Sequence, residues 1–166
     1  MNATIRRTLL FAALYTLAAC RPTPPGTPSA ASAQDLQWAE EGLTGFFGDL
    51  AEGRYAHATA FFAGPTQQLA EYNPDVDPQD ITALLERYCK VNGGTCLPIK
   101  SIARRDAPAA DTFVFVVEFL NPDGSTFVRG PCCGSEDMSE TRRQWEYTVL
   151  VVDGQFRVFK LPPYVP

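Results

Sequence analysis

The sequence predicts an α+β domain, in which helices from the first half of the chain pack on an antiparallel β-sheet formed by the second half. Between residues 35 and 88, apolar residues recur every three to four positions, which is the period of an α-helix. From Leu97 onward the period falls to two, and β-branched and aromatic residues dominate. Helices that precede a run of strands are typical of a sheet covered by helices on one face.

The first helix is predicted over residues 35–52, with Asp35 as its N-cap and Gly53 as the residue beyond its end. Its apolar stripe includes Phe46 and Phe47. Three glycines lie within it, and each costs about 1 kcal/mol relative to alanine inside a helix. They therefore predict close approach by neighbouring elements. These glycines are Gly42, Gly45 and Gly48.

Two further helices are predicted before the sheet. The segment 54–62, "RYAHATAFF", has small and aromatic residues on one side. After an irregular stretch, Asp77 is placed as the N-cap of the third helix, with Pro78 at its first position and Asp80 in its first turn. Its buried stripe is expected to contain Ile81, Leu84, Leu85 and Tyr88.

A strand is predicted at residues 112–120, "TFVFVVEFL", which are almost all β-branched or aromatic. The four residues "NPDG" that follow it form a turn with proline at its second position. One face of the strand carries Phe113, Phe115, Val117 and Phe119.

The clearest hairpin signal is "RQWEYTVLVVDGQFRVFKL", in which Asp153-Gly154 is a two-residue turn of the primed type. Because this turn sets the register, it predicts which residues face one another across the two strands. The predicted pairs are Val151 with Phe156, Val149 with Val158, and Tyr147 with Lys160.

Two segments of the chain resemble the nuclear transport factor 2-like superfamily. "FFGDLAEGRYAHATAFFAG" looks like the opening helix pair of that family, and "VVDGQFRVFKLPPY" looks like its final hairpin. The resemblance covers about residues 35–164. It implies a cone, in which a curved antiparallel sheet wraps around the N-terminal helices.

The N-terminal residues predict export and a lipid anchor. Arg6 and Arg7 precede an apolar run, "LLFAALYTLAA", which is the length of a signal peptide and too short for a membrane span of about 20 residues. The run closes on "LAAC", residues 17–20, which resembles the lipobox of bacterial lipoproteins. The alternative is that Cys20 is an ordinary cysteine after a secretory signal.

The lipobox divides the chain into three parts and predicts its location. Residues 1–19 are a signal peptide that is removed, and residues 20–34 are the lipidated Cys20 with a proline-rich disordered tether. Residues 35–166 are a single domain. The expected location is the bacterial cell envelope, on its extracytoplasmic side, with the membrane as a partner through the acyl chains.

The charge of the chain limits its partners. The formal net charge is −5 at pH 7, and no basic tract is present. Such a chain is a poor candidate for binding nucleic acid, so none is expected. The pairs Arg104-Arg105 and Arg142-Arg143 are interpreted as solvated strand ends, because no glycine-rich loop accompanies them to hold a phosphate. No cofactor is expected, and the sequence does not predict the oligomeric state.

Four cysteines remain in the domain: Cys89, Cys96, Cys132 and Cys133. In an oxidising compartment an even number favours disulfides. The preferred pairing joins Cys89 to Cys96 across "KVNGGT". It leaves Cys132 and Cys133 reduced or in a strained vicinal disulfide that could act as a redox switch. The competing scheme links both of them to Cys89 and Cys96, and a zinc site is a further option that no common ligand spacing supports.

Two titratable residues are weighed as catalytic candidates. His57 is the only histidine, so any histidine-dependent mechanism must use it, and its place in "RYAHATAFF" favours an exposed or capping role. Glu118 interrupts the apolar strand on the face it shares with Val114 and Val116. If that face lined the cavity of a cone, burial would raise the pKa of Glu118, and the resemblance implies that it could act as a general base.

Two functions follow from this reading. The favoured one is a noncatalytic, membrane-anchored module that binds a small molecule or an envelope protein. The alternative is an isomerase- or dehydratase-like enzyme that uses a buried acid in the cavity of the cone. A third reading is a spacer or assembly element.

Overall fold

A computed structural model describes residues 31–131 and 140–165 of the chain. Cys20, Cys132 and Cys133 lie outside the described residues, as do the predicted signal peptide and most of the predicted tether. The described part is an α+β domain, as the sequence predicts. Its four strands form one antiparallel sheet in the order β1-β2-β3-β4.

The helical half of the domain contains four α-helices and one short 3-10 helix. These are α1 (Ala33–Ala51), α2 (Tyr55–Ala58), the 3-10 turn Thr59–Phe61, α3 (Gln67–Tyr72) and α4 (Ile81–Lys90). The strands that follow are β1 (Ile99–Ala109), β2 (Thr112–Phe119), β3 (Trp145–Val152) and β4 (Gln155–Val158). None of the helices in the described ranges has the length and apolar composition of a bilayer-spanning segment.

The start of α1 corrects the sequence prediction. Ser32, rather than Asp35, is the N-cap, and its hydroxyl accepts from the backbone N–H of Asp35. The Asp35 carboxylate in turn accepts from the backbone N–H of Ser32, which completes a capping box. The helix therefore includes Ala33 and Gln34, which the sequence analysis assigned to the tether.

The start of α4 is also displaced from its prediction. The N-cap is Asp80, whose carboxylate accepts from the backbone N–H of Ala83 at 3.0 Å. Asp77 instead accepts from the backbone N–H of Gln79 at 2.9 Å, which closes a turn ahead of the helix. Both acids compete for local backbone donors, and the later one caps the helix. In addition, α3 lies where the sequence analysis expected an irregular stretch.

The main core lies between α1 and one face of the sheet. Phe47 of α1 packs edge-on against Phe119 and Tyr147, with ring centroids 4.9 and 4.8 Å apart. The predicted face of β2 is completely buried, and the residues between its members are partly exposed. This alternation confirms the strand, and it shows that the aromatic face is the one turned to the core. The buried face consists of Phe113, Phe115, Val117 and Phe119.

Two of the three glycines in α1 make the close contacts that their positions predict. A Cβ atom at Gly42 would lie 3.0 Å from the carbonyl oxygen of Phe156, and one at Gly45 would lie 3.0 Å from the ring of Phe61. The prediction is wrong for Gly48, where no atom lies within 4 Å. The first two glycines thus let β4 and the 3-10 turn approach α1.

The final hairpin has the predicted turn and nearly all of the predicted register. Asp153 and Gly154 both have positive φ, at 52° and 73°, as a primed turn requires. Val151 pairs with Phe156, and Val149 pairs with Val158. The predicted pairing of Tyr147 with Lys160 is absent from the ladder because β4 ends at Val158. Lys160 Nζ instead lies 6.0 Å from the centre of the Tyr147 ring.

Candidate functional site

A cavity of about 980 Å³ lies beside α3 and the end of α4. Its walls come from α3, the end of α4, the start of β3 and a C-terminal segment that we define as residues 159–165. We call it the cavity throughout. A small cluster of buried residues lies beneath it, and this cluster consists of Leu69, Leu84 and Tyr88.

The C-terminal segment is fixed to the loop that follows α4. The backbone N–H of Thr95 donates to the carbonyl of Pro163 at 2.7 Å, and that of Val165 donates to the carbonyl of Gly93 at 2.9 Å. The Tyr88 hydroxyl donates to the carbonyl of Pro162, also at 2.7 Å. These bonds turn an irregular segment into an ordered wall of the cavity.

A disulfide braces the same loop. Cys89 at the end of α4 is bonded to Cys96, and their Cα atoms lie 5.5 Å apart. The structure therefore contains the preferred pairing of the sequence analysis, and it differs from the scheme in which Cys132 and Cys133 bind these two residues. Gly93 and Gly94 lie within the loop that the disulfide closes.

Aromatic and basic side chains dominate the lining of the cavity. Among the described residues that line it there is no aspartate or glutamate. The basic residues of the lining are Arg129, Arg142 and Lys160. The aromatic residues are Phe62, Tyr72, Tyr88, Trp145, Tyr147, Phe159 and Tyr164.

Two buried phenols and one indole supply polar atoms at the cavity. Burial raises the pKa of Tyr88 well above its ordinary value of 10, and the neighbouring Tyr164 raises it further. Burial also raises the pKa of Tyr147, with a further contribution from Tyr88. Both phenols therefore stay protonated and cannot serve as bases near neutral pH. Trp145 is only 4 % exposed, and its Nε1–H has no hydrogen-bond partner among the described residues.

Glu118 does not meet the conditions set for a general base. Its carboxylate accepts from Gln144 Nε2 at 2.9 Å and lies 3.9 Å from Arg143 Nε, on the face of β2 opposite the core. The hydrogen bond from Gln144, together with the charges of Lys100 and Arg143, lowers the pKa of Glu118. Glu118 is not part of the cavity lining, so the condition under which burial would raise its pKa is not met.

A second depression lies along α1, around Asp49, and we call it the Asp49 cleft. Asp49 is only 2 % exposed, although it is charged. Its carboxylate accepts from Arg54 Nε at 2.8 Å and lies 2.5 Å from Nδ1 of His57. Arg104, which also lines the cleft, is bonded to Glu40 at 2.9 Å. Each of these charges thus has an opposite partner within the cleft.

The Asp49 cleft is built as a connection between helices. His57 is 68 % exposed, as the sequence predicts, but it is bound to a buried acid that the sequence analysis missed. The sequence does contain a sign of this buried acid, since an aspartate lies within the apolar stripe "FFGDL". No hydroxyl or thiol among the described residues is bonded to His57. The arrangement therefore ties the end of α1 to α2 and shows no nucleophile.

Three of the four arginines in the two pairs are exposed, as the sequence predicts: Arg104, Arg105 and Arg143. Arg104 and Arg105 lie within β1 rather than at its end, and Arg105 is paired with Glu146. Arg142 lines the cavity, so the interpretation as a solvated strand end is wrong for this residue. In the described ranges, no group of three histidine, cysteine, aspartate or glutamate side chains could hold a metal ion.

Comparison with models of protein families and with curated proteins finds no match for this chain.

Proposed function

We propose that this chain is a bacterial lipoprotein, anchored in the cell envelope through Cys20, whose folded domain is a noncatalytic binding module of the nuclear transport factor 2-like type. The N-terminal sequence supports the anchor. The α+β arrangement supports the fold, as do three register shifts along β1, because such irregularities bend a strand and curve a sheet. The ligand-binding role depends on the cavity.

The observation that carries the binding role is the size and composition of the cavity. Its volume of about 980 Å³ falls within the range of small-molecule sites, roughly 300–1,000 Å³. Such sites are mostly apolar with a few polar groups, and the aromatic residues with Trp145 Nε1 and the three basic side chains fit that description. The walls are held by a disulfide and by backbone hydrogen bonds, so the site is ordered before a ligand arrives.

The composition of the cavity favours binding over the enzymatic alternative. An isomerase or dehydratase of the kind considered needs a carboxylate that can accept a proton. The described lining has none, its two buried phenols have raised pKa values, and Glu118 lies elsewhere with a lowered pKa.

The anchor is tested by replacing Cys20. Cells that produce the full chain are labelled with an alkyne fatty acid and fractionated into membrane and soluble parts. We expect labelled, membrane-bound protein that is lost with Cys20→Ala and kept in the control Cys89→Ser/Cys96→Ser. Retention of the label in Cys20→Ala would contradict the anchor.

The binding role is tested by native mass spectrometry of the chain isolated from its own envelope. We expect a small molecule to be retained. Val91→Asp, at an exposed position of the lining, should release it, because the new carboxylate enters an apolar rim. Val128→Asp is the matched control, since Val128 is also exposed but lies outside the lining. Equal occupancy in both variants would show that the cavity is not the binding site.

A further inference from the structure

The rim of the cavity collects most of the exposed apolar surface in the described part of the chain. Of the seven large apolar residues that are strongly exposed there, five line the cavity. Exposed apolar residues scattered singly are normal, but their concentration at one opening is typical of a binding site. These five residues are Tyr72, Val91, Phe159, Tyr164 and Val165.

The described lining of the cavity has a charge opposite to that of the whole chain. The chain carries a formal net charge of −5 at pH 7, whereas the described lining contains three basic residues and no acidic one. A concave, largely apolar site lined by one sign of charge concentrates ligands of the opposite sign. The lining therefore suits a ligand that is both apolar and negatively charged.

A backbone bridge fixes Arg142 beside the cavity. Arg129 and Arg142 each donate a backbone N–H to the carbonyl of the other at 2.9 Å, in an isolated antiparallel bridge. In such a hydrogen-bonded pair both side chains project from the same face. The backbone of Arg142 is therefore held in place at the lining before a ligand arrives.

The indole of Trp145 provides a further reason to expect an anionic or hydrogen-bond-accepting ligand. Its buried Nε1–H is a donor without an acceptor among the described residues. By contrast, the Tyr88 hydroxyl already donates to the carbonyl of Pro162. A head group with several oxygen atoms could accept from the indole as well as from the basic side chains.

From these features we infer that the cavity takes a single-chain amphiphilic anion, an aliphatic chain that ends in a carboxylate, sulfate or phosphate. This inference rests on the proposed binding role and names the class of ligand. The chain packs among the aromatic residues of the lining. The head group pairs with the cations, of which Arg142 and Lys160 are the ones to test.

The experiment compares three ligands that share a ten-carbon chain and differ in charge. These are decanoate, decanol and decyltrimethylammonium, each used below its micelle concentration. The protein is the full chain with Cys20→Ser, so that no anchor acyl group competes. Trp38→Phe leaves Trp145 as the single tryptophan, and its fluorescence reports occupancy of the cavity, with calorimetry as the second measurement.

We expect decanoate to bind at least tenfold more tightly than decanol, with an affinity that falls as salt increases. Arg142→Gln/Lys160→Gln should weaken decanoate at least tenfold and leave decanol unchanged. Arg104→Gln, which removes a cation from the Asp49 cleft, is the matched control and should change neither. Near-ultraviolet circular dichroism confirms that each variant is folded.

Three results would overturn the inference while leaving the binding role intact. These are equal affinity for decanoate and decanol, a preference for the cationic ligand, and a decanoate affinity that is unaffected by the double variant. Binding only to phosphatidylglycerol vesicles would also overturn it, because the rim would then be a membrane-docking surface. Failure of all three ligands to bind, together with no ligand retained by the native protein, would overturn the binding role itself.

Discussion

The cavity and the Asp49 cleft differ in how their charges are compensated. In the cleft, the buried carboxylate of Asp49 has both Arg54 and His57 as partners, and Arg104 has Glu40. In the cavity, Arg142 and Lys160 share a lining that has no described carboxylate. A set of charges that is satisfied within the fold indicates a structural role, whereas a set of one sign indicates a ligand. The following predictions test that distinction, beginning with the largest effect.

Asp49→Ala tests whether the cleft is structural. The change removes the acceptor for two side chains from a position that is 2 % exposed. We expect the free energy of unfolding to fall by about 2–3 kcal/mol, because a buried, charge-assisted hydrogen-bond network is lost. Urea unfolding measures the change. Arg54→Gln is the control and should cost less, since Arg54 is half exposed. A loss in Asp49→Ala no larger than that of a surface substitution would show that the cleft is not structural.

Cys89→Ser/Cys96→Ser tests the bracing of the cavity. The disulfide closes a short loop, with a separation of seven residues, and the chain-entropy model gives a loss of about 2 kcal/mol. We expect lower stability in urea and weaker ligand retention. Reduced wild-type protein is the control and should behave like the variant. A variant that is as stable as the oxidised protein would contradict a bracing role.

Tyr88→Phe removes one bond between α4 and the C-terminal segment. The buried carbonyl of Pro162 loses its donor, so we expect a loss of about 1 kcal/mol. Amide hydrogen exchange gives the more specific measurement. The N–H groups of Thr95 and Val165, which bond across the same seam, should exchange faster. Unchanged exchange at both would show that the wall does not depend on Tyr88.

Arg104→Gln should cost more stability than Arg142→Gln. Arg104→Gln breaks an exposed bond to Glu40 and should cost about 0.5 kcal/mol. Arg142→Gln removes a cation from a lining that has no described carboxylate, and it should leave the free energy of unfolding nearly unchanged. The free energy of unfolding of each ligand-free variant is measured in urea and compared with that of the wild type. A clear loss of stability in Arg142→Gln would make this arginine a structural residue and contradict the distinction.

Glu118→Gln should produce the smallest change in the free energy of unfolding. The informative measurement is how that change depends on pH. The pKa of Glu118 is lower in the folded chain than its ordinary value of 4.5. Its contribution to stability is therefore present above the unfolded pKa and is lost as pH falls through the folded pKa. We expect the stability difference between wild type and variant to shrink below about pH 4. A stability difference that grows on acidification would contradict a lowered pKa for Glu118 in the folded chain.

The sequence predicts features that local chemistry determines. The register of the final hairpin follows from Asp153-Gly154, because a two-residue primed turn admits one alignment of its strands. The buried face of β2 follows from its alternation of aromatic and smaller residues. The N-caps are less certain from sequence, since Ser32 and Asp35 bond to each other and Asp80 lies only three residues beyond Asp77.

The candidate site could not be read in the same way because it depends on contacts between distant segments. The partners of Asp49 lie on the next element, and they reach it only because the chain turns after α1. The cavity needs α3, which carries only one buried residue and so has no apolar stripe to reveal it. In the sequence, Arg142 looks like a surface residue. Its place at the cavity depends on the backbone bridge to Arg129, which the sequence does not reveal.

The hydrogen bond between Tyr88 and Pro162 joins residues 74 positions apart, and it has a consequence for the order in which the molecule assembles. A chain that emerges gradually can form α1, α4 and the disulfide loop from neighbouring residues. It cannot complete the wall of the cavity until residues 162–165 have joined that loop. Occupancy of the cavity would therefore report that these two distant segments have docked on one another.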